Sequence, residues 1–215
     1  MYYPINLDLK GRPVLVVGGG RVAERKVLSL IEYGARVTVV SPELTPKLSR
    51  FAKRGRIRTF SRPVRVRDLK GQFVIICATS NQALNARIGR RAIAKGQLVN
   101  VVDAPSVSNF IAPSVVRRGA LVIAISTEGQ VPALSKRLRK DIERTIGPRY
   151  TEIVRFLARL RKGLQDEVED IRVRRQLMNQ IVDRDFHLLA NRAKRSVLEK
   201  RIKRLIRKFT KDIKG

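Results

Sequence analysis

A glycine-rich turn near the start of the chain has the residue types and spacing that hold a dinucleotide phosphate. Residues 18–23 are Gly-Gly-Gly-Arg-Val-Ala, a GxGxxA pattern between an apolar run and an amphipathic segment. Gly18 permits a sharp turn, Gly20 lets a pyrophosphate approach the backbone, and Ala23 lets the helix pack closely on the strand. The N-terminus of that helix offers free N–H groups and a positive dipole end. The cofactor contacts predicted at this turn are Gly18, Gly19, Gly20, Arg21, Val22 and Ala23.

The residues after the second predicted strand should meet the ribose of the cofactor. A NAD site usually has an acid about 20 residues beyond the glycines, and the chain has Ser41, Pro42 and Glu43 there. Glu43 is the candidate for the ribose hydroxyls. Residues 37–49 contain no arginine for a 2′-phosphate, although Lys47 is available, so the pattern favours NAD over NADP. The alternative for Glu43 is a solvated residue near the start of the next helix.

Polar residues also follow the fourth and fifth predicted strands, where ligands of a doubly wound sheet bind. Thr79 is a candidate for cofactor contact, whereas Ser80 and Asn81 equally suit the cap of the next helix. Asp103 comes where a nicotinamide would be reached, and a carboxylate there can take up a proton or orient a substrate amine or pyrrole N–H. The alternative for Asp103 is a turn residue before Ala-Pro.

Other reactive residue types are scarce. His187 is the single histidine, and its apolar helical surroundings favour packing over catalysis. No His, Cys, Asp or Glu cluster has the spacing of metal ligands. No Ser or Cys nucleophile has a base at hand either, so the sequence predicts neither a metal site nor nucleophilic catalysis.

Strands that alternate with helices would position these residues. Pro13–Val17 is an apolar run, typical of a strand buried on both faces, and Val22–Tyr33 has apolar residues at helical spacing before Gly34. Further strands are predicted at 36–40, 57–60, 73–77 and 98–102, and further helices at 44–53 and 81–95. This alternation indicates an α/β fold with a Rossmann-like doubly wound parallel sheet.

The pattern changes after residue 103. Two strands, 110–116 and 121–125, come without a helix between them, and Pro132 opens a helix. Helical stretches follow at 150–162, 164–182 and 186–211. We therefore predict a NAD-binding domain at 1–113, a small α+β segment at 114–148 and a helical C-terminal domain at 149–215.

The net charge of +29 arises from 47 Lys and Arg against 18 Asp and Glu. The excess extends over the whole chain and is densest at 53–67 and 192–215. Such runs are solvated faces, or they steer an anionic ligand towards the protein. Nucleic acid is not favoured as a partner, because zinc-finger spacing, a glycine-aromatic RNA-binding motif and tryptophan are missing.

Composition and the N-terminus give an expected location. Apolar residues make up 43% and charged residues 30% of the chain, as in a globular protein with a real core. No segment approaches the roughly 18 apolar residues of a membrane span, and the N-terminus has no signal-peptide pattern. Cys77 is the single cysteine, which excludes an internal disulfide. We expect a cytoplasmic protein without a membrane partner.

Several phrases point to one family. They are Tyr3–Leu7, Val16–Lys26, Val39–Leu44, Ala78–Thr79, Asn100–Pro105 and Phe110–Ser114. With these phrases the chain, from Pro4 to about Gly147, resembles precorrin-2 dehydrogenases, including the N-terminal half of the fused sirohaem synthases. Asn-Val-Val-Asp together with Phe-Ile-x-Pro-Ser is the specific combination.

The resemblance implies a reaction. Precorrin-2 would lose a hydride to NAD and a proton to the surroundings, giving sirohydrochlorin. Asp103 would be the catalytic acid or base, and substrate contacts are expected at Asn100, Ser126 and Thr127. The segment 114–148 would form a homodimer whose partners share the active-site cleft. The basic charge would attract the carboxylates of the tetrapyrrole.

The chain also departs from the family, and alternatives stay open. The usual Ser-Thr-Gly-Gly-x-Ser-Pro loop has Glu128 and Val131 in place of small residues, and we expect no methyltransferase domain after the helical part. One alternative is a bifunctional dehydrogenase and sirohydrochlorin ferrochelatase that uses Asp103 for both reactions. The other is a non-catalytic, NAD-responsive regulator that binds nucleic acid.

Overall fold

The computed structural model describes residues 1–184 together with 200, 202 and 204. These residues fall into two compact units. The first comprises 1–112 and 128–130, and the second comprises 113–127 and the described residues from 131 onward. The three-domain division at 113 and 148 stays a prediction.

The first unit is built on a five-stranded parallel sheet with the order β3-β2-β1-β4-β5. The strands are β1 Pro13–Val17, β2 Arg36–Val40, β3 Arg58–Phe60, β4 Val74–Cys77 and β5 Leu98–Val101. Val17 pairs with Val40 on one side and with Cys77 on the other, and Cys77 pairs with Val101. The carboxyl ends of these four strands therefore lie along one edge. The strand order reverses between β1 and β4, which is where ligands bind in doubly wound sheets.

Helices cover both faces of this sheet. They are α1 Arg21–Glu32, α2 Pro46–Lys53 and α3 Gln82–Ala94. Ala23, Val27 and Leu30 of α1 pack with α2 in one buried cluster, while Ile88 and Ala92 of α3 belong to a second. Alternate residues of β1 enter the two clusters, because side chains of a strand point to opposite faces. The predicted Rossmann-like fold is confirmed.

The second unit begins with an antiparallel hairpin and continues as helices. Its elements are β6 Ser114–Arg118, β7 Leu121–Ile125, α4 Pro132–Thr145, α5 Tyr150–Glu167 and α6 Ile171–Arg184. The guanidinium of Arg118 donates to the carbonyl oxygens of Ile146 at 2.7 Å and Glu143 at 3.1 Å, so it satisfies the C-terminal end of α4. Leu164 and Leu177 are buried between α5 and α6.

Two predicted element boundaries need correction, and a third predicted element lies outside the described residues. The strand expected at 110–116 is Ser114–Arg118, because the Phe110 carbonyl accepts from the Asn100 side chain and Pro113 has no N–H for a ladder. The helix break expected at residue 163 comes after Glu167, because Asp170 caps α6 by accepting from Arg172 N at 2.7 Å. The helix expected at 186–211, and His187 with it, lie outside the described residues apart from isolated positions.

One property of the helices bears on membranes. Within residues 1–184 and the three isolated positions, no helix combines the length and apolar character that crossing a bilayer requires.

Candidate active site

Glycine occupies the three positions of the turn after β1 for different structural reasons. Gly18 has φ 115°, and a Cβ there would lie 2.4 Å from the Ala78 carbonyl oxygen. A Cβ on Gly19 would lie 1.9 Å from the Glu43 carbonyl oxygen, so the backbone itself excludes any side chain. A Cβ on Gly20, in contrast, would meet open space. Gly18 and Gly19 are thus required for packing, whereas Gly20 leaves an open approach to the backbone.

Hydrogen bonds fix this turn to the residues after β2. Gly18 N donates to the Val40 carbonyl at 3.0 Å, and Thr45 N donates to the Gly19 carbonyl at 3.0 Å. The Thr45 hydroxyl donates to the Glu24 carboxylate at 2.6 Å and accepts from the first turn of α2. Glu24 and Thr45 were not predicted as site residues, although Thr-Pro is a helix-start signal that identifies the cap.

The N-terminus of α1 is open to an anion. Gly20 is its N-cap, with φ −79° and ψ −174°, and no side chain caps the first-turn N–H groups. The first backbone bond of the helix runs from Glu24 N to the Gly20 carbonyl, so the preceding N–H groups have no intrahelical partner. Ala23 is buried against the sheet, Val22 is half-buried and Arg21 is exposed. These are the features of a phosphate site at a helix N-terminus.

The three residues predicted to meet the ribose lie beside this turn. The side-chain oxygen of Ser41, which is buried, lies 2.9 Å from the position a Gly19 Cβ would take. Pro42 and Glu43 are exposed. The Glu43 carboxylate forms no hydrogen bond or ion pair with the described part of the chain, so it is available to a ligand.

Thr79 has a structural role that its sequence context did not predict. Its hydroxyl donates to the side-chain oxygen of Asn85 at 2.7 Å, and the Asn85 amide returns a bond to the Thr79 carbonyl at 2.9 Å. Asn85 is buried within α3, and Asn81 caps that helix by accepting from Leu84 N at 2.8 Å. The Thr79–Asn85 pair therefore fixes the loop that packs against Gly18. The sequence signal that could have predicted this pair was a polar residue in the first turn of α3.

Asp103 comes directly after β5 in a left-handed turn with φ 58°, a conformation that Asp tolerates better than most residues. Its side chain is exposed and forms no hydrogen bond with the described residues. On β5, Val99 and Val101 are buried with α3, so Asn100 between them belongs to the face that α1 covers. The Asn100 amide donates to the Phe110 carbonyl at 3.1 Å, which leaves its oxygen available as an acceptor.

Lys26 is a residue of this region that was not predicted to act. It is half-buried on α1, and the described residues give it no hydrogen bond or ion pair. Burial lowers the pKa of its ammonium and the charge of Arg25 adds to the lowering, while the Asp103 carboxylate opposes it. Lys26 therefore interacts electrostatically with the Asp103 carboxylate. Its place on the flank of α1, three residues after Ala23, was the available signal.

The remaining predicted residues belong to the second unit. The Thr127 hydroxyl lies 3.2 Å from that of Ser135 and accepts from Val131 N at 3.1 Å, so it holds the start of α4. Ser126 is exposed. Glu128 has φ 52°, where the family usually has glycine. The substrate contacts expected from Ser126 and Thr127 stay predictions.

The described residues assemble neither a metal site nor a reactive thiol. Across residues 1–184, 200, 202 and 204, no three His, Cys, Asp or Glu side chains come together as metal ligands. Burial raises the pKa of the Cys77 thiol to about 12, so the thiolate is not populated at neutral pH. The first unit instead combines an open glycine turn with polar residues after β2, β4 and β5.

Two family models match most of the chain. The model described as "Putative NAD(P)-binding" matches residues 5–114, and the model described as "Sirohaem biosynthesis protein central" matches residues 118–145. The first of these covers the whole sheet and all the strand ends described above. The chain therefore contains an NAD(P)-binding domain of this family.

Curated relatives carry two names. "Siroheme synthase" of Methylobacillus flagellatus is 43% identical over 162 residues, which are 75% of this chain and 35% of that protein. "Precorrin-2 dehydrogenase" of Priestia megaterium is 34% identical over 186 residues, which are 86% of this chain and 92% of that protein. The chain spans between 35% and 45% of the length of the sirohaem synthases it matches.

A solved structure of a protein named precorrin-2 dehydrogenase also matches the chain. "SirC, precorrin-2 dehydrogenase" superimposes with a TM-score of 0.80 and 31% identity, over 94% of this chain and all of that one. A match over nearly the full length of a precorrin-2 dehydrogenase, in both sequence and structure, together with the two family models, identifies the family. The chain belongs to the precorrin-2 dehydrogenase and sirohaem synthase family.

Proposed function

We propose that this protein oxidises precorrin-2 to sirohydrochlorin with NAD as the hydride acceptor. The observation that carries the proposal is the match to the Priestia megaterium precorrin-2 dehydrogenase, because it covers 92% of that protein and 86% of this chain. The longer sirohaem synthases alone would leave open which of their reactions the shared part performs. The open glycine turn and Asp103 supply the residues that the reaction needs.

The residues of the first unit fit the cofactor. The open space at Gly20 and the uncapped N-terminus of α1 suit a pyrophosphate, and Glu43, exposed after β2, suits the ribose hydroxyls. A carboxylate at that place repels a 2′-phosphate, which favours NAD over NADP. When bound, NAD supplies the acceptor for the hydride. Thr79 and Asn85 shape the loop on the other side of the turn.

Asp103 is the proposed acid or base. Loss of a hydride from the substrate leaves a cation that must release a proton, and a carboxylate that has no hydrogen-bond partner among the described residues can accept it. The side-chain oxygen of Asn100 can accept a bond from a pyrrole N–H and so orient the ring. Contacts from Ser126 and Thr127 belong to the same proposal.

The direct test is the absorbance of NADH formed from NAD and freshly prepared precorrin-2. We expect NADH and sirohydrochlorin to appear together, and neither to appear when NAD is omitted. Protein that binds both ligands and forms no NADH would refute the proposed reaction.

A homodimer completes the proposal. Val131, Leu134 and Leu138 at the start of α4 are exposed, Leu134 by 46%, and exposed apolar stripes of this kind favour an interface. A second copy of the chain covers this apolar stripe in the proposed homodimer, as the family resemblance implies. Light scattering should give twice the monomer mass, and replacing Leu134 and Leu138 by Glu should give monomers. Monomers in the unmodified protein would contradict this part.

Iron insertion is a second candidate. The curated relatives named sirohaem synthase, such as the one 43% identical over 162 residues, favour it, because Asp103 is available for both reactions. An assay with sirohydrochlorin and ferrous iron, but without NAD, tests for this second activity. Sirohaem formation above the uncatalysed rate supports a bifunctional enzyme, and no acceleration excludes it. The cytoplasmic location stays a prediction of the sequence.

A further inference from the structure

Two opposite charges of the first unit interact electrostatically without forming an ion pair with each other. They are Lys26 on α1 and Asp103 after β5, and neither has a hydrogen-bond partner among the described residues. Because the two side chains do not pair with each other, each is available to a polar group of a ligand. Lys26 is half-buried, and partial burial of an ammonium without a direct ion pair costs free energy that a bound anion can offset.

The geometry of α1 places Lys26 on the flank of the helix that lies opposite α2. Ala23, Val27 and Leu30 form the buried stripe of the helix. Glu24, on one flank, bonds to Thr45 at the start of α2. Lys26 lies nearly on the opposite flank, since 3.6 residues make one helical turn, and this flank therefore faces away from α2.

The same face of the sheet carries the residues next to Asp103. Val74 and Ile76 of β4 pack with α1, and Leu98 and Phe110 lie against the same cluster. Asn100 belongs to this face by strand alternation. The free flank of α1 therefore meets the side of the sheet from which Asp103 and Asn100 come.

We propose that Lys26 is the anchor for one carboxylate of the tetrapyrrole substrate, which it holds beside Asp103. An ammonium with three donors, unpaired within the described part of the chain, matches an acetate or propionate side chain of the ring system. Holding that side chain at Lys26 places the adjacent ring carbon and pyrrole N–H next to the Asp103 carboxylate. The inference rests on the proposed function, because it names how the same site recognises its substrate.

Arg25 offers a matched control. It is adjacent to Lys26, carries the same charge and is exposed on the outer side of α1. Lys26→Met keeps the aliphatic stem in its packing position and removes the charge, whereas Arg25→Met removes the same charge from the solvated surface. Lys26→Arg retains the charge and should rescue binding. Thermal unfolding of each variant checks that the fold is retained.

The first measurement is direct binding of uroporphyrin III, a stable polycarboxylated tetrapyrrole, followed by its absorbance. For Lys26→Met we expect the dissociation constant to rise about tenfold, as for loss of one charge-assisted contact. For Arg25→Met and Lys26→Arg we expect changes within about threefold. NAD affinity should be equal in all four proteins. Equal porphyrin binding by Lys26→Met and Arg25→Met, or a loss of NAD affinity in Lys26→Met, would overturn the inference.

The kinetic measurement separates this inference from the proposed function. In the precorrin-2 assay, Lys26→Met should raise KM about tenfold and change kcat by less than about threefold, as expected for loss of uniform binding. Unmodified protein without oxidation would refute the proposed function, and uroporphyrin binding would then still decide the role of Lys26. Normal oxidation with an unchanged KM in Lys26→Met would refute the anchor alone.

Discussion

At the residue scale, adjacent glycines of one turn differ in what they do. A side chain on Gly19 would overlap the Glu43 carbonyl, whereas a side chain on Gly20 would enter open space. The sequence pattern assigns both to the cofactor, but the structure separates a packing requirement from an open approach. Substitutions at the two positions should therefore fail in different ways.

Gly20→Asp should abolish NAD binding and leave the fold intact. The new carboxylate would stand at the N-terminus of α1, where it competes with the pyrophosphate for the free N–H groups and repels it. We expect at least about a hundredfold loss of NAD affinity, about 2.7 kcal/mol, by fluorescence titration, with little change in thermal unfolding. Gly19→Ala is the contrasting variant and should lower the unfolding temperature. Normal NAD binding by Gly20→Asp would place the pyrophosphate elsewhere.

Asp103→Asn should remove oxidation while NAD still binds. Asparagine has the same shape, tolerates the left-handed φ of 58° and cannot take up a proton. We expect kcat to fall by about two to four orders of magnitude, with unchanged NAD affinity. Asp103→Ala adds the cost of left-handed backbone, so Asn is the cleaner variant. Full activity in Asp103→Asn would show that the proton leaves by another route.

At the element scale, a buried side chain on one helix shapes a loop of the site. Asn85 in α3 exchanges two hydrogen bonds with Thr79 after β4, and the same loop packs against Gly18. Glu24 and Thr45 connect α1 to α2 in a comparable way. The glycine turn is thus held between two loops, each fixed by a polar pair.

Asn85→Ala should weaken both the fold and NAD binding. Removing Asn85 leaves the Thr79 carbonyl and hydroxyl without their buried partner, which costs about 1–3 kcal/mol of unfolding free energy, measurable with urea. NAD affinity should fall because the loop loses its fixed geometry. Asn81→Ala, which removes only the exposed helix cap, should cost about 1 kcal/mol and leave NAD affinity unchanged. Equal effects of the two variants would contradict this role.

Strands marked by continuous apolar or β-branched runs were the most predictable part of the fold. β1, β2 and β7 have the predicted bounds, because continuous apolar or β-branched runs mark buried strands. The strand after residue 110 and the end of α5 were misplaced, because a side-chain bond to the Phe110 carbonyl and the Asp170 cap decide them locally. Lys26 was missed for a different reason: its significance comes from Asp103, which lies far away in sequence.

At the scale of the whole molecule, the basic side chains differ in exposure and in pairing with acidic groups. Along 53–67 most basic side chains are exposed, but Arg62 forms two bonds of 2.8 Å with the Asp68 carboxylate and stacks on Phe60. That pair lowers the pKa of Asp68. The unpaired remainder generates the long-range field that draws anions to the protein.

The field predicts a dependence on salt. Between low and physiological ionic strength, KM for precorrin-2 should rise several-fold while kcat stays nearly constant, because screening weakens capture and not the chemistry. Steady-state kinetics in KCl tests this, with KM for NAD as the internal comparison. A KM for precorrin-2 that does not depend on salt would remove electrostatic capture from the account.

The decisive measurement is the amount of NADH formed per precorrin-2 consumed, with NAD in excess. The account predicts one NADH and one sirohydrochlorin for each precorrin-2, and no product from the Gly20→Asp variant. If the unmodified protein binds NAD and precorrin-2 but leaves both unchanged, the glycine turn and Asp103 do not form a dehydrogenase site.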